Sequence, residues 1–236
     1  MHGIGYDRIA SEYYMAQHVT SRNFDETTAA SQKLIRGYLP SQGSYLELGA
    51  GRGRLQELLG VPASRTVQTD ISAKMLNLSR TRIDSERLNR IRCDALDLPF
   101  APCSFKAVVA LLYDPYNKSR LYKEVQRVLD KNGVFVGTLP NITWGRTLRR
   151  IRRYRSDLVR FVSLSGEFVT MSSILMSEMR LKKVVTDAGL QVVVVKSLCL
   201  PAKVEKISPD IVAPAEKLGL TPTELPILDL VVARKK

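Results

Sequence analysis

The stretch Tyr45-Leu-Glu-Leu-Gly-Ala-Gly-Arg-Gly-Arg-Leu55 runs from an apolar strand through three closely spaced glycines into a helix. Glycine lets the backbone turn tightly and approach a ligand without a clash at Cβ, so Gly49, Gly51 and Gly53 indicate a ligand-binding turn. The dinucleotide pattern G-x-G-x-x-G does not fit, because Arg54 stands three positions after Gly51. A plain strand-to-helix turn is the alternative when the motif is read alone.

Two carboxylates end the next two predicted strands. Asp70 lies 17 residues after Gly53, at a spacing where an acidic side chain can accept both hydroxyls of a ribose. Asp94 ends the third strand, where its carboxylate can accept a hydrogen bond from an adenine amino group. A helix cap or a turn would explain either aspartate alone. Together with the glycine turn, the two aspartates predict a nucleoside-binding edge.

Apolar runs alternate with helix-length segments along the chain. After a helical segment that extends to about Leu39, we predict strands near Ser44–Leu48, Thr66–Asp70, Arg90–Asp94, Lys106–Leu112, Gly133–Leu139, Gln191–Leu198 and Ile227–Ala233, and helices near Gly53–Leu59, Ala73–Ile83, Lys118–Leu129 and Met176–Ala188. Right-handed crossovers convert such alternation into a mostly parallel sheet with helices on both faces. The sequence therefore predicts an α/β, Rossmann-like fold.

The composition is that of one globular domain over residues 1–236. The chain is 44% hydrophobic and 25% charged, which excludes disordered and collagen-like classes. Its three cysteines show no CxxC spacing, so we expect neither a disulfide framework nor a metal site. No signal peptide is visible and no apolar run approaches the ~20 residues that span a bilayer, so we expect a cytoplasmic protein.

Positive charge is concentrated in one part of the chain. Of the net charge of +13, residues 141–183 supply 7, from ten Lys and Arg against three Asp and Glu. A helical wheel drawn from Arg146 to Val162 places five arginines on one face and Arg155 on the opposite, apolar face. We interpret residues 141–175 as a basic helical insertion that acts as a substrate lid, with Arg155 as a substrate-facing cation. A solvated surface helix is the alternative interpretation.

Further motifs follow one another in a recognisable order. They are Tyr6-Asp-Arg-Ile-Ala-Ser-Glu-Tyr-Tyr14, Glu47-Leu-Gly-Ala-Gly-Arg-Gly53, Asp70-Ile71 with Met75-Leu76, Asp94-Ala-Leu-Asp-Leu-Pro-Phe100, Leu112-Tyr-Asp-Pro-Tyr-Asn117 and Glu124-Val-Gln-Arg-Val-Leu-Asp-Lys-Asn-Gly133. This series resembles the class I S-adenosylmethionine-dependent methyltransferases, in particular the type 11 kind. The resemblance implies a seven-stranded sheet with an antiparallel last strand, and S-adenosylmethionine as the cofactor. Lys106 and Asn132 depart from the usual Asp and Gly of the family.

The resemblance also implies roles for individual residues around the cofactor. Gly49, Gly51 and Gly53 would flank its methionine part, and Glu47 would support its ammonium group. Asp70 would hold the ribose. The remaining cofactor candidates would contact the adenine, follow the sulfonium or cover the cofactor: Ile71, Met75, Asp94, Ala95, Leu111, Tyr6 and Tyr13.

The acceptor side is predicted from fewer signals. In the family, the segment that corresponds to residues 1–40 forms an N-terminal helical cap over the cofactor. Tyr14 and His18 of this segment, together with Asp114, are therefore the catalytic candidates. A methyl acceptor that must lose a proton needs a base, and the chain has only two histidines. The substrate-binding candidates are Tyr113, Tyr116 and Arg155. Asp114-Pro-Tyr116 partly resembles the Asp-Pro-Pro-Tyr motif of enzymes that methylate nucleobase amino groups.

These observations favour methyl transfer to an oxygen or nitrogen of a small molecule, such as a biosynthetic intermediate that carries an acidic group. A nucleic-acid methyltransferase that uses the arginine face for phosphates is one alternative. Against it, only Tyr154 interleaves the arginines and no nucleic-acid-binding module is appended. A noncatalytic cofactor-binding protein is the other alternative. The sequence assigns no oligomeric state.

Overall fold

The computed structural model describes residues 3–13, 18–82, 88–155, 157–163 and 165–235. Tyr14, one of the catalytic candidates, lies outside the described residues. Within these ranges the structure has the alternation of strands and helices that the sequence predicts between residues 45 and 140.

The described residues contain nine strands, and seven of them form one sheet. The strands in chain order are β1 (Tyr45–Leu48), β2 (Thr66–Asp70), β3 (Asn89–Arg92), β4 (Phe105–Leu111), β5 (Leu129–Pro140), β6 (Leu158–Val162), β7 (Phe168–Ser172), β8 (Leu190–Cys199) and β9 (Pro226–Lys235). The sheet order is β3-β2-β1-β4-β5-β9-β8, and β6 pairs only with β7 among the described strands. Strands from β3 to β5 run parallel, whereas β9 runs antiparallel to both β5 and β8. The expected Rossmann-like sheet with an antiparallel last strand is confirmed.

Helices cover both faces of this sheet. They are α1 (Gly3–Ile9), α2 (Val19–Ala30), α3 (Gln32–Arg36), α4 (Arg54–Leu59), α5 (Ala73–Arg82), α6 (Ser119–Val128), α7 (Ile142–Arg152), α8 (Glu178–Asp187) and α9 (Pro209–Leu218). Side chains alternate along a strand, so Ala107 and Val109 of β4 pack with α2, α4, α7 and α9, while Val108 and Ala110 pack with α6 and α8. The sheet is therefore buried between two layers of helices.

The carboxyl ends of β1, β2 and β4 lie side by side. Leu48 of β1 is in register with Thr69 of β2 and with Ala110 of β4. Parallel strands present all of their carboxyl ends at one edge, and ligands of open α/β sheets bind outside that edge. The glycine turn after Leu48 and the carboxylate of Asp70 are thereby brought together.

The basic insertion is a helix followed by a β-hairpin, so the single long helix expected from Arg146 to Val162 was wrong. α7 ends at Arg152, and Arg153 takes a left-handed conformation with φ 54°. The antiparallel pair of β6 and β7 follows. Phe161 and Met171 point to one side of the hairpin and pack against Ile9 of α1. Val169 and Met171 of the same cluster are two residues apart, and this period of two is typical of a strand and not of a helix.

Candidate functional site

The glycine turn after β1 has the strained geometry that its sequence predicts. Gly49 and Gly51 have φ values of 61° and 53°, which disfavour residues with a Cβ. A Cβ at Gly49 would also collide with the hydroxyl of Tyr116. The backbone N–H of Gly51 donates to Oδ2 of Asp70 at 3.0 Å. The turn is thus kept open by glycine and held in place by the end of β2.

The two strand-end aspartates differ in their surroundings. Asp70 is 9% exposed, and its Oδ1 accepts a hydrogen bond from the N–H of Ser72 at 2.9 Å. Burial raises the pKa of this carboxyl to about 6, although backbone hydrogen bonds from Ser72, Gly51 and Ile71 lower it. Asp94 is exposed, and its Oδ1 accepts from the N–H of Leu96 at 2.9 Å. Both line one cleft at the edge of the sheet.

Most of the other cofactor candidates line the same cleft. Its wall contains Tyr6, Tyr13, Gly49, Gly51, Asp70, Ile71, Met75, Asp94, Ala95 and Leu111. The structure therefore brings these residues together around one space. Gly53 lies just outside the cleft wall, where its φ of 90° starts α4.

Glu47 lies behind the glycine turn and does not line the cleft. Its Oε1 accepts from the N–H of Leu55 at 2.8 Å, and its Oε2 accepts from the side-chain amide of Gln68 at 2.9 Å. Burial raises the pKa of Glu47 to about 7, although both hydrogen bonds lower it. The side chain thus ties the start of α4 to β2, and its expected contact with the cofactor ammonium stays a prediction.

A second cavity of about 540 Å³ adjoins the cofactor cleft. The two spaces share Tyr6, Tyr13, Leu112 and Pro115 on their walls. α1 closes over this junction, and Oδ1 of Asp7 accepts a hydrogen bond from the hydroxyl of Ser72 at 2.5 Å. The second cavity and the cofactor cleft are therefore continuous at this junction.

Two catalytic candidates face this second cavity. The ring of His18 stacks on Phe161 with a centroid distance of 4.0 Å, and its Nε2 is buried without a hydrogen-bond partner. Burial lowers the pKa of His18, which keeps the imidazole neutral at pH 7. Asp114 is 9% exposed, and burial raises its pKa to about 6. Both groups can accept a proton or a hydrogen bond from a bound molecule.

Comparisons with known proteins agree with this geometry. Residues 46–137 match the family model of the methyltransferase domain. This matched segment is a methyltransferase domain and contains Gly49, Asp70 and Asp94. The match supports S-adenosylmethionine, the cofactor that the sequence resemblance implies.

Individual proteins are similar to this chain over part of its sequence or over its whole fold. The ubiquinone/menaquinone biosynthesis C-methyltransferase UbiE of Desulfotalea psychrophila is 30% identical over 132 residues, 54% of this chain and 53% of that protein. The chain thus spans about half the length of this curated relative. A chain from the Haloferax volcanii complex of the Trm112 methyltransferase activator with a methyltransferase has a TM-score of 0.69 at 18% identity, covering 99% of this chain and 97% of that one. An S-adenosylmethionine-dependent methyltransferase of Thermotoga maritima has a TM-score of 0.66 at 16% identity over 100% of both chains.

The substrate-binding candidates lie in places that the sequence did not predict. Tyr113 is fully buried in the core, and its hydroxyl accepts from that of Tyr122 at 3.2 Å. Tyr116 lines the cofactor cleft, and its hydroxyl donates to the carbonyl of Leu48 at 3.0 Å. Arg155 follows the end of α7 and is exposed, outside both cavity walls. None of the three therefore lines the second cavity. For Arg155 the reason is that α7, the helix expected to orient it, ends at Arg152.

Sequence reasoning missed Arg149, the buried arginine of the second cavity. The helical wheel assigned it to the solvent face, yet it is 6% exposed. Its Nη2 donates to the carbonyl and the hydroxyl of Ser173, at 2.7 and 2.8 Å. The hydroxyl of Ser173 also bonds to the carboxylate of Asp114. No signal in the sequence marks Arg149 among its neighbouring arginines, because its burial depends on the segment that follows β7.

Arg54 is a second residue that the sequence analysis did not assign. It lines the cofactor cleft, and its Nε lies 2.8 Å from Oδ1 of Asp25 in α2. Arg52 reaches the other oxygen of Asp25 at 3.0 Å. The spacing of both arginines beside Gly53 could have indicated a bridge between the glycine turn and the N-terminal helices.

No helix within the described ranges of the chain is long and apolar enough to cross a membrane. The same ranges contain no cluster of three or more His, Cys, Asp or Glu side chains arranged to hold a metal ion.

Proposed function

We propose that the protein is an enzyme that transfers a methyl group from S-adenosylmethionine to an oxygen or nitrogen of a small molecule, a biosynthetic intermediate. The observation that carries the proposal is the junction of two spaces. A cleft with two strand-end carboxylates meets a cavity of about 540 Å³ at Leu112 and Pro115. Methyl transfer needs the acceptor and the cofactor in line and away from water, and this arrangement suits both requirements.

The residues of the cleft fit the cofactor. Asp70 would accept hydrogen bonds from the ribose hydroxyls, and Asp94 would accept from the adenine amino group. Ile71 and Met75 would pack against the adenine. The open turn at Gly49 leaves room for the methionine part, since glycine lets a backbone approach a ligand closely. When bound, the cofactor supplies an electrophilic methyl group.

The acceptor would lie in the second cavity between His18 and Asp114. His18 is held by its stacking on Phe161, and its lowered pKa leaves the neutral ring ready to take a proton. Asp114 is held by Ser173 and would accept a hydrogen bond from the hydroxyl or amino group that is methylated. Tyr6 and Tyr13 would exclude water from the junction, because both contribute to the walls of both spaces.

A small acceptor is favoured over a nucleic acid by the position of Tyr116. In the nucleic-acid alternative, this ring would stack on a base that enters the acceptor site. Its hydroxyl is instead bonded to the carbonyl of Leu48, and its ring lies in the wall of the cofactor cleft. The curated relative is named for quinone biosynthesis. This name supports a role in biosynthesis and adds carbon as a candidate acceptor atom.

The test is detection of labelled methyl groups. Purified protein is incubated with methyl-labelled S-adenosylmethionine and an extract of the source organism, separated into small-molecule and nucleic-acid fractions. We expect label in the small-molecule fraction, in a product whose fragmentation places the new methyl group on oxygen or nitrogen, whereas label on carbon would contradict the proposed acceptor atom. Asp70→Ala serves as the inactive control. Label only in the nucleic-acid fraction, or cofactor binding with no labelled product from any fraction, would overturn the proposal.

A further inference from the structure

Arg149 is a buried cation with too few hydrogen-bond partners. Its guanidinium donates through Nη2 to Ser173 alone, while Nε and Nη1 are buried and donate to nothing. It takes part in none of the ion pairs found within 4.0 Å among residues 3–13, 18–82, 88–155, 157–163 and 165–235. Burying an unpaired charge is costly, so a position of this kind implies an absent partner.

Arg127 is an example of a structural arginine whose side-chain nitrogens all donate hydrogen bonds within the protein. Its Nε donates to Glu124 at 2.9 Å, its Nη1 to the carbonyl of Phe100 at 2.5 Å, and its Nη2 to the carbonyl of Leu98 at 2.8 Å. All three nitrogens thus have acceptors within the protein. Arg149 is more deeply buried than Arg127 and has an acceptor for only one nitrogen, which distinguishes it from a structural arginine.

No carboxylate forms an ion pair with Arg149 among the described residues. Asp114 and Asp157 act on it only from a distance, and burial lowers the pKa of Arg149 in spite of both. The carboxylate of Asp114 is linked to Arg149 through the hydroxyl of Ser173, and burial raises the pKa of Asp114 to about 6. The cavity wall carries two further arginines. Arg152 is paired with Asp210 at 2.5 Å, whereas Arg160 lies over the rings of Tyr154 and Phe168. The cavity is therefore electropositive around Arg149.

We propose that the methyl acceptor carries an anionic group, a carboxylate or a phosphate ester, and that Arg149 binds this group inside the second cavity. The proposal rests on the methyl transfer proposed above and names the class of its acceptor. Arginine suits this task because it stays charged when buried and its donors match anionic oxygens. The anion would supply the acceptors that Nε and Nη1 lack.

The position of Ser173 limits the distance between the anionic group of the acceptor and the atom that is methylated. Its hydroxyl links Arg149 to Asp114, so the two side chains are only one hydroxyl apart. An acceptor that touches both would carry its anionic group within a few bonds of the atom that is methylated. The remaining walls include Trp144, Leu148 and Phe161, which favour an apolar body. A compact hydroxy or amino acid with an apolar side meets these conditions.

Trp144 provides a direct test, because it is the only tryptophan of the chain and lines the cavity. Its fluorescence is titrated with benzoate, phenyl phosphate and neutral benzamide in the presence of S-adenosylhomocysteine. We expect saturable binding of at least one of the two anions, at least tenfold tighter than binding of benzamide. The better of the two anions distinguishes a carboxylate from a phosphate ester. Arg149→Gln should lower anion affinity to that of benzamide, and the exposed Arg155→Gln should leave it unchanged.

Three results would overturn the assignment of Arg149. They are equal affinity of the wild-type protein for the anions and for benzamide, anion affinity that survives Arg149→Gln, and anion affinity that falls equally in Arg155→Gln. If circular dichroism shows that Arg149→Gln does not fold, two other results test the assignment. They are the affinities of the wild-type protein for the anions and for benzamide, and the same affinities of the Arg149→Lys variant. The lysine variant keeps the charge and should retain preference for the anion. Calorimetry with S-adenosylhomocysteine is independent of these results, so a failure of cofactor binding is distinguished from a failure of anion binding.

Discussion

Oδ2 of Asp70 accepts a hydrogen bond from the backbone N–H of Gly51 at 3.0 Å, so the end of β2 holds the turn that follows β1. The other oxygen, Oδ1, accepts from the N–H of Ser72 at 2.9 Å. One buried carboxylate thus organises two loops at the edge where the cofactor is proposed to bind. Changes at Asp70 should therefore act on the turn and on cofactor affinity together.

Cofactor affinity should depend on pH through Asp70. Burial raises its pKa to about 6, and the proposed ribose contact needs the ionised carboxylate. We expect affinity for S-adenosylhomocysteine, measured by calorimetry, to fall as the pH drops through 6. Asp70→Asn should bind at least tenfold more weakly at pH 7.5, since a charge-assisted hydrogen bond contributes ~1.5–3 kcal/mol, and should lack this pH dependence.

Stability should respond to Asp70 in the opposite direction. Because the folded pKa lies above the ordinary value of 3.8, the folded protein binds this proton more tightly than the unfolded chain. The contribution of Asp70 to the free energy of unfolding is therefore present below pH 4 and is lost as the pH rises through 6. The exposed Asp97→Asn serves as the control for both measurements. The same pH dependence of affinity in wild type and in Asp70→Asn would contradict the assignment.

Gly49→Ala should destabilise the protein more than Gly166→Ala does. Both glycines have positive φ, of 61° and 81°, so alanine costs roughly 1–2 kcal/mol of backbone strain at either position. Only at Gly49 does the new methyl group also collide with the hydroxyl of Tyr116, whereas nothing lies within 4 Å at Gly166. We expect a lower melting temperature for Gly49→Ala than for Gly166→Ala, and at least tenfold weaker cofactor binding only for Gly49→Ala.

Adding Tyr116→Phe to Gly49→Ala should restore part of the lost stability, since it removes the colliding oxygen. Equal melting temperatures for the Gly49→Ala and Gly166→Ala variants would show that the close approach of Tyr116 is not a constraint on this turn.

Hydrogen exchange in residues 3–13 should slow when S-adenosylhomocysteine binds. α1 reaches the edge of the cleft through Asp7, whose Oδ1 accepts from the hydroxyl of Ser72 and from the N–H of Lys74, at 2.5 and 3.3 Å. Tyr6 and Tyr13 line the cleft and would be buried further by a ligand. Asp7→Ala should speed exchange in the absence of ligand and reduce the protection that the ligand confers.

Arg8→Ala is the matched control for this helix, because its pair with Glu167 at 2.8 Å is exposed and contributes little. If exchange in residues 3–13 were identical with and without ligand, α1 would be a packed helix and not a cover for the cofactor.

The sequence alone predicted the sheet and the edge of the sheet where the ligand is proposed to bind. Gly49, Asp70 and Asp94 could be placed from their spacing, because a short strand, a turn and a crossover helix are local structures with their own periodicity. Parallel pairing then brings successive strand ends to one edge whatever the details of packing. The family resemblance added the antiparallel last strand, which the structure also has.

Only the tertiary structure decided what each polar side chain of the site faces. The helical wheel extended a helix to Val162, yet β6 and β7 form an antiparallel pair in which Phe161 and Met171 pack against Ile9, more than 150 residues away in the chain. That packing exposes Arg155. Arg149 is buried because Ser173, beyond the hairpin, accepts its hydrogen bonds. Partners of this kind come from distant segments, and no local periodicity records which segment will lie opposite a given side chain.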